Sequence, residues 1–539
     1  MSHKRLTFRS AAREKILRGA GQLADAVRVT LGPRSKSVLI EKKWGKPIVC
    51  DDGVTIAKEV ELPDAEENVG CQMLREPAER TQNEVGDGTT TATLFAHAIL
   101  QEGMRNVVAG SNALEIKRGL ERGFEVVKAE LKRVSKAVSS RKERAQVATI
   151  SSHGNGQIGN LVADALEKVG PEGVVSVEEA KGTSTELEVV EGMQFDNGWL
   201  SAYFVTDPER MECVLVDALV LLYDKRISTM QNIVHLLEHS VKAQRPIVLV
   251  AEDVEGEALA ALVVNKLRGA LQAVAVKAPG FGDRRRAMLE DLAVLTGGQV
   301  LSEETGVKLE KVGPELLGRV KRVVVTKDKT TLVGGAGDKA KIAGRVEQLR
   351  REIRETKSDY DKEKLQERLA KLSGGVAIIR VGAASEAELK QRKDALDDAI
   401  NATKAAVAEG IVPGAGLGFL RCIAPVEAEA AKAEGDERIG LKVLAHALAV
   451  PARQIAENSG FDGGVVVERM KTGTGAMGFD AAKGVYCDLF EAGIIDPTKV
   501  GRVALENAIS SASTLLLTEA VLTELPEKKA EPKSELGME

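Results

Sequence analysis
Eight residues, Gly86-Asp87-Gly88-Thr89-Thr90-Thr91-Ala92-Thr93, hold the clearest chemistry in the chain. Glycines on both sides of a carboxylate let a backbone come close to a polyphosphate. Three threonines then run into the helix-compatible segment Ala92 to Leu100, which aims helix-start amides at phosphate oxygens. Asp87 suits the hard metal that travels with a nucleotide, since Mg²⁺ takes one or two carboxylates plus phosphate oxygens. The chemistry to expect is nucleoside triphosphate binding and hydrolysis. The plain alternative is a glycine turn with a threonine helix cap.

Hydrolysis needs a group that orients and deprotonates water, commonly a carboxylate near the γ-phosphate. Asp394, Asp397 and Asp398 crowd one predicted helix, and Gly410 to Gly418 forms a second glycine-rich loop. His235 and His239 stand at i,i+4 but lack an H-E-x-x-H pattern or a third ligand, so a solvated helix face explains them better than zinc. The five cysteines, Cys50, Cys71, Cys213, Cys422 and Cys487, form no C-x-x-C pair, which argues against a disulfide framework and a zinc site and suits a reducing compartment.

The elements that must position these groups change texture along the chain. Up to about residue 130 the pattern is mainly helical: Ala11 to Val29, Asn68 to Val85, Thr89 to Ala109 and Leu114 to Val138. A hairpin of Ser37 to Ile40 and Pro47 to Cys50, turning at Trp44-Gly45, interrupts them. Strands are expected at Val174 to Val177 and Leu187 to Val190. Within a distinct central region, Pro246 to Ala251 and Ala273 to Lys277 read as strands alternating with helices Gly256 to Gly269 and Arg284 to Thr296, an α/β signature. Asp338 to Leu372 reads as two amphipathic helices turning near Ser358-Asp359. Helices then return, so the two ends of the chain make one helical domain and the middle is an insertion. Gly192 and Gly374-Gly375 fall at the matching changes of texture and are the expected hinges.

In the central region a helix over Thr229 to Lys242 puts Ile233, Val234 and Leu237 on one stripe, while Leu259, Val263 and Val264 mark another. Taken alone, such stripes are core. With 75 basic and 80 acidic residues in 539 and a net charge of -5, nothing favours nucleic acid or an anionic membrane as partner. Aromatics are 3%, too few for a base-stacking platform. No apolar run approaches the ~20 residues that cross a bilayer, and no signal-peptide core follows Met1, so a soluble cytoplasmic protein is expected.

Together, Gly86-Asp-Gly-Thr-Thr-Thr-Ala-Thr, Thr30-Leu-Gly-Pro, Asp52-Gly-Val-Thr, Ala251-Glu-Asp-Val-Glu-Gly-Glu-Ala, Ala278-Pro-Gly-Phe-Gly-Asp-Arg-Arg and Ala405-Ala-Val-Ala-Glu-Gly resemble the bacterial-type (group I, GroEL-type) chaperonins, in order from about Leu6 to about Leu525. The resemblance implies a mixed α/β subunit of three domains. These are a mainly helical equatorial ATP-binding domain (1–133 and 410–525), an intermediate hinge domain (134–191 and 376–409) and an inserted α/β apical domain (192–375), with a disordered tail at 526–539. It implies an ATPase that folds proteins, with ATP and Mg²⁺ held by Asp87, Gly88, Thr89, Thr90 and Thr91, and a facing wall of Thr30, Leu31, Gly32 and Pro33 that helps place K⁺. Asp398 takes the catalytic position and Asp52 assists. Gly414, Ala415, Gly416, Asp480, Ala481, Ala482 and Asp496 make the adenine and ribose side.

In such a family the two apolar stripes face a ring opening. Val234, Leu237, Leu259, Val263 and Val264, with Trp199, Tyr203, Phe204 and Asn265, bind non-native polypeptides and a GroES-type co-chaperonin. The assembly implied is a homo-oligomeric double ring of seven-membered rings. The chain departs from the pattern in three places: Ala415 interrupts a run of glycines, Asp51 precedes Asp52, and a charged tail keeps one Gly537-Met538 in place of Gly-Gly-Met repeats. These departures motivate an alternative, a specialised polypeptide-binding holdase without a full folding cycle. A group II chaperonin with a built-in lid would need an extra helical segment near Phe281.

Overall fold
The structure, a computed structural model, describes residues 4–42, 47–152, 154–170, 173–180, 182–208, 210–302, 309–356 and 358–524. The turn expected at Trp44-Gly45 and the tail from Leu525 lie outside them. The chain divides into two compact units, Met1–Ala163 with Asp394–Glu539, and Asp164–Lys393. The two ends of the chain thus share one unit, and residues 164–393 between them form the other. The second unit holds both the central α/β region and a smaller sheet.

The first unit is helical. Arg9–Arg28, Ala65–Val85, Thr89–Val108, Ala113–Val134, Leu417–Ala430, Glu437–Ala447 and Thr498–Leu516 enclose one apolar core. Thr89–Val108 is buried on most of its circumference, as expected of a central helix. Lys4–Phe8 pairs antiparallel with Ala520–Glu524, which brings the two ends of the described chain together. Val38–Ile40 pairs antiparallel with Ile48–Cys50, as the hairpin pattern required. The helix expected to reach Val138 stops at Val134. Ser135 turns extended, and Lys136 exchanges backbone hydrogen bonds with Ile411 at 2.8 Å in both directions.

In the second unit a seven-stranded sheet runs in the order Ala273–Lys277, Ile247–Ala251, Cys213–Tyr223, Gly318–Val325, Thr330–Gly335, Gly192–Phe195, with Val300–Leu301 beside Cys213–Tyr223. Its first three strands are parallel and the following pairs are antiparallel. Helices Val234–Ala243 and Gly256–Leu267 make the crossovers between the parallel strands. Every residue of Ile247–Ala251 is buried, as in parallel sheets covered on both faces. Val376–Val381 forms a second, three-stranded sheet between Val174–Glu179 and Glu186–Val190. The charged stretch folds as two helices, Lys339–Glu355 and Asp359–Gly374, N-capped by Asp338 and Ser358.

The expected hinge glycines occupy three different settings. Gly192 is in a strand paired with Val333, where a Cβ would overlap Val376 Cγ2 and lie 2.6 Å from the Leu332 carbonyl oxygen. Its lack of a side chain serves close packing. Gly374 ends a helix, and Gly375, at φ +64°, turns the chain into Val376–Val381.

Candidate functional site
The nucleotide-site residues named from the sequence all belong to the first unit. Helix Ala65–Val85 ends on Gly86 at φ +68°, and Gly88 at φ +82° starts Thr89–Val108, so the chain reverses between two helices around Asp87. The first hydrogen bond of the new helix runs from the Ala92 amide to the Gly88 carbonyl. The amides of Thr89, Thr90 and Thr91 therefore precede the helix's own bonding and form an anion-binding end. The Asp87 carboxylate accepts from the Gly88 amide and, at 2.8 Å, from the Ser151 hydroxyl.

Gly86 explains how Asp398 comes to this loop. A Cβ there would overlap the Asn401 amide nitrogen and lie 2.6 Å from Asn401 Cγ. Because Asn401 rests on the bare glycine, Asp398, one turn earlier on Glu386–Glu409, is carried towards Asp87. Burial pushes the Asp398 carboxyl well above its ordinary 3.8, and the charges of Asp87, Asp52, Asp397 and Asp394 add to the effect. Asp496 is pushed up to about 6, first by burial and then by Asp87. Close carboxylates with raised pKa values mark a site that wants a cation or a proton.

Asp52 is held as a helix N-cap: its carboxylate accepts from the Thr55 amide at 2.9 Å, the Thr55 hydroxyl at 2.6 Å and the Val54 amide at 3.4 Å. The next residue, Gly53, lies on the threonines, and a Cβ would sit 3.0 Å from Thr89 Oγ1. Asp52 is thereby fixed beside the phosphate loop.

The opposite wall is also in place. The Thr30 hydroxyl is 2.9 Å from that of Thr90. Asn458 donates to the Arg28 and Leu31 carbonyls at 2.8 Å each, and Gly32 adopts φ +96° against Ile455. Arg34 donates to the Ala482 carbonyl at 2.8 Å, joining the turn after Pro33 to the turn at Asp480. Gly414 takes a hydrogen bond to the Ile494 carbonyl at 3.0 Å, and a Cβ on it would be 3.1 Å from Asp496 Oδ1. The adenine-side residues are thus gathered, with one correction. Asp480 is 3% exposed, and its carboxylate caps its own turn at the Ala482 and Lys483 amides and pairs with the Lys483 ammonium at 3.3 Å. Its carboxylate is thus engaged within its own turn.

Ala415 adopts φ +53°. A left-handed non-glycine residue costs roughly 1–2 kcal/mol, partly offset by the extra unfolded-state freedom of glycine. Ala415→Gly is therefore expected to stabilise the protein by about 0.5–1 kcal/mol in denaturant unfolding, and an unchanged or lower midpoint would contradict the strain.

Four positioning residues escaped the sequence reading: Ser151, Asn401, Arg34 and Asn458. Asn401 lay one turn after Asp398 on the same predicted helix, and Arg34 directly after Pro33. Nothing local marked Ser151 or Asn458.

The apolar surface expected in the second unit needs correction. The helix begins at Val234, not Thr229, after a single 3₁₀ turn at Met230–Asn232. Ile233 and Leu237 point into the core with Leu236, and Phe204 is 0% exposed. Leu237 and Phe204 are therefore core residues. Trp199, Leu259 and Val263 are half-buried against that core, and Asn265 is half-buried, donating to the Ala261 carbonyl at 2.8 Å. What faces solvent is Tyr203 at 63%, Val264 at 43% and Val234 at 40%, with Val241 and Leu267 beyond the expected set.

Among the described residues no helix is long and apolar enough to cross a membrane, and no three His, Cys, Asp or Glu side chains are grouped to hold a metal. Residues 23–526 match the model of the TCP-1/cpn60 chaperonin family. The chain is similar to a Bradyrhizobium diazoefficiens protein named Chaperonin GroEL 5, with 62% identity over 541 residues that cover 100% of both chains.

Proposed function
The chain belongs to the TCP-1/cpn60 chaperonin family, and from that membership we propose that ATP turnover at the Asp87 loop times the capture and release of non-native polypeptides on Tyr203, Val234 and Val264. It is a GroEL-type, group I chaperonin and an ATPase that assists protein folding. The observation that carries the site assignment is the seat of Asn401 on Gly86, which directs Asp398 to the phosphate loop.

In this reading the amides of Thr89 to Thr91 bind the phosphates, and Thr30 to Pro33 close the other side. Asp87, with the phosphate oxygens, would hold Mg²⁺, which would supply charge neutralisation, and the Thr30 turn would hold K⁺. The residues fit such a metal: Asp87 supplies a carboxylate, and the charges of Asp87 and Asp52 act on the buried Asp398, an excess of negative charge that a cation would relieve. Asp398 orients and deprotonates the attacking water, and Asp52, rigid as a cap, assists it. Gly414, Ala415, Gly416 and Asp496, with the Asp480-Ala481-Ala482 turn, hold the nucleoside.

The exposed apolar residues bind without sequence preference, because hydrophobic burial is non-directional at roughly 25 cal/mol/Å². Leu259, Val263, Trp199 and Asn265 back that surface. The three-domain division at 133/134, 191/192, 375/376 and 409/410, with Gly192 and Gly374-Gly375 as hinges, a double ring of seven-membered rings, a GroES-type partner and a cytoplasmic setting complete the proposal. Refolding of a client that does not refold alone tests it. With ATP and a GroES-type co-chaperonin, active client should return. Suppressed aggregation with no recovered activity would contradict a full cycle and point to a holdase.

A further inference from the structure
We propose that Lys266 sets the geometry of the capture surface by tying the Tyr203 turn to the helix Gly256–Leu267; this rests on the reading that Tyr203 and Val264 capture non-native chains. Lys266 lies in the last turn of that helix, two residues beyond the exposed Val264. Its ammonium donates at 2.7 Å to the Tyr203 carbonyl and at 2.7 Å to the Val205 carbonyl. A lysine has three donors and a flexible stem, so one side chain satisfies two carbonyls of a neighbouring segment. Placed at a helix C-terminus, the same charge also complements the helix dipole.

The segment it holds is a short turn between two backbone anchors, Leu200 on the Ala275 carbonyl at 3.0 Å and Thr206 on the Glu212 carbonyl at 2.9 Å. Ala202–Phe204 is one 3₁₀ turn, closed by 3.1 Å hydrogen bonds from the Phe204 amide to Ser201 and from the Val205 amide to Ala202. A longer 3.4 Å contact joins the Tyr203 amide to the Ser201 hydroxyl. Isolated 3₁₀ turns have poor hydrogen-bond geometry. Phe204 anchors the turn from below in the core, and the turn packs on the helix. Among the described residues, side chains tie this stretch at Trp199, whose indole donates to the Met211 carbonyl at 3.4 Å, and at Thr206, whose hydroxyl accepts from the Val214 amide at 2.8 Å, while Lys266 binds the carbonyls of Tyr203 and Val205 themselves. Tyr203 rides on this turn with most of its ring in solvent. Lys266 therefore decides whether Tyr203 and Val264 present one surface or two independent ones. A surface ordered before binding loses less freedom on capture.

Lys266 is a positioning residue, so its effect must pass through Tyr203. A double-mutant cycle on the full-length, nucleotide-free assembly tests this, with dissociation of a fluorescently labelled, chemically unfolded client as readout. Lys266→Met, which keeps the stem and removes the donors, is expected to weaken capture ~3- to 10-fold, the scale of re-ordering one side chain. Lys266→Arg should retain capture, and ATPase activity should be unchanged in both. With Tyr203→Ala already present, Lys266→Met should add less than about two-fold, because coupled residues are non-additive. Multiplying effects, or a Lys266→Met variant that captures like the parent while Tyr203→Ala is weakened, would overturn the inference and leave the capture surface standing. Unweakened Tyr203→Ala would overturn both. Should Lys266→Met lower the melting midpoint, Lys266→Leu, which also lacks a donor, replaces it in the same cycle.

Discussion
Replacing Asp398 with alanine is expected to slow ATP hydrolysis by roughly 10²- to 10⁴-fold while nucleotide still binds, the range over which a positioned acid–base group contributes. In the proposed site Thr89 to Thr91 hold the phosphates and Asp87 would hold the metal, so the substitution removes the group assigned to act on water and leaves the proposed cradle. Stability should move the other way. Burial and the charges of Asp87, Asp52, Asp397 and Asp394 raise the folded-state pKa of Asp398 above 3.8. A raised carboxylate contributes stability below its unfolded pKa and loses it as pH rises through the folded value. At neutral pH the unfolded chain ionises at this carboxyl more readily than the folded one, so Asp398 opposes folding of the nucleotide-free protein, and Asp398→Ala should be the more stable of the two there. The advantage should shrink as pH falls towards the unfolded value. Equal unfolding midpoints at neutral pH would show that the carboxylates do not repel as placed, and near-normal turnover in an intact assembly would remove Asp398 from catalysis.

Gly86→Ala is expected to disable the site by way of Asn401. The new methyl overlaps the Asn401 amide, and the backbone at φ +68° is left-handed. Overpacking costs about 1–3 kcal/mol and the left-handed conformation about 1 kcal/mol more. Together they destabilise by roughly 2–4 kcal/mol. Relief of the clash moves the helix carrying Asp398 off the phosphate loop, so ATPase activity should fall by at least about 100-fold, given that an ångström of misplacement costs that much. Asn401→Ala in the same chain should restore the overpacking part and leave the backbone part. Denaturant unfolding with steady-state ATPase measures both. A Gly86→Ala protein as stable and active as the parent would contradict the packing.

The tight turn at Gly86-Asp87-Gly88 was legible because two glycines around a carboxylate leave the backbone few roles, and both glycines take the left-handed conformation that only they adopt freely. The inserted α/β region was legible from alternation of period. Long-range seating was not: Asn401 on Gly86, Ser151 on Asp87 and Asn458 on the Thr30 turn join residues far apart in the chain, and no local pattern encodes them. Alanine gives no sign of a positive φ, so the strain at Ala415 could be posed but not read. Periodicity placed Val234 and Leu237 on one stripe without saying where the helix starts. The 3₁₀ turn at Met230–Asn232 resets the phase and sends Leu237 inward. A three-residue turn likewise separates exposed Tyr203 from buried Phe204, which adjacent aromatics in a sequence cannot reveal.

The central claim is that hydrolysis at Asp398 times how long the surface at Tyr203 and Val264 stays released. The direct measurement is recovery of affinity for an unfolded client after a single ATP pulse, in the parent and in Asp398→Ala. ATP binding should weaken capture in both. The parent should regain capture as the pulse is consumed, and Asp398→Ala should remain in the low-affinity state at least about 100-fold longer, matching its slowed chemistry. Recovery at the same rate in both proteins would contradict the claim.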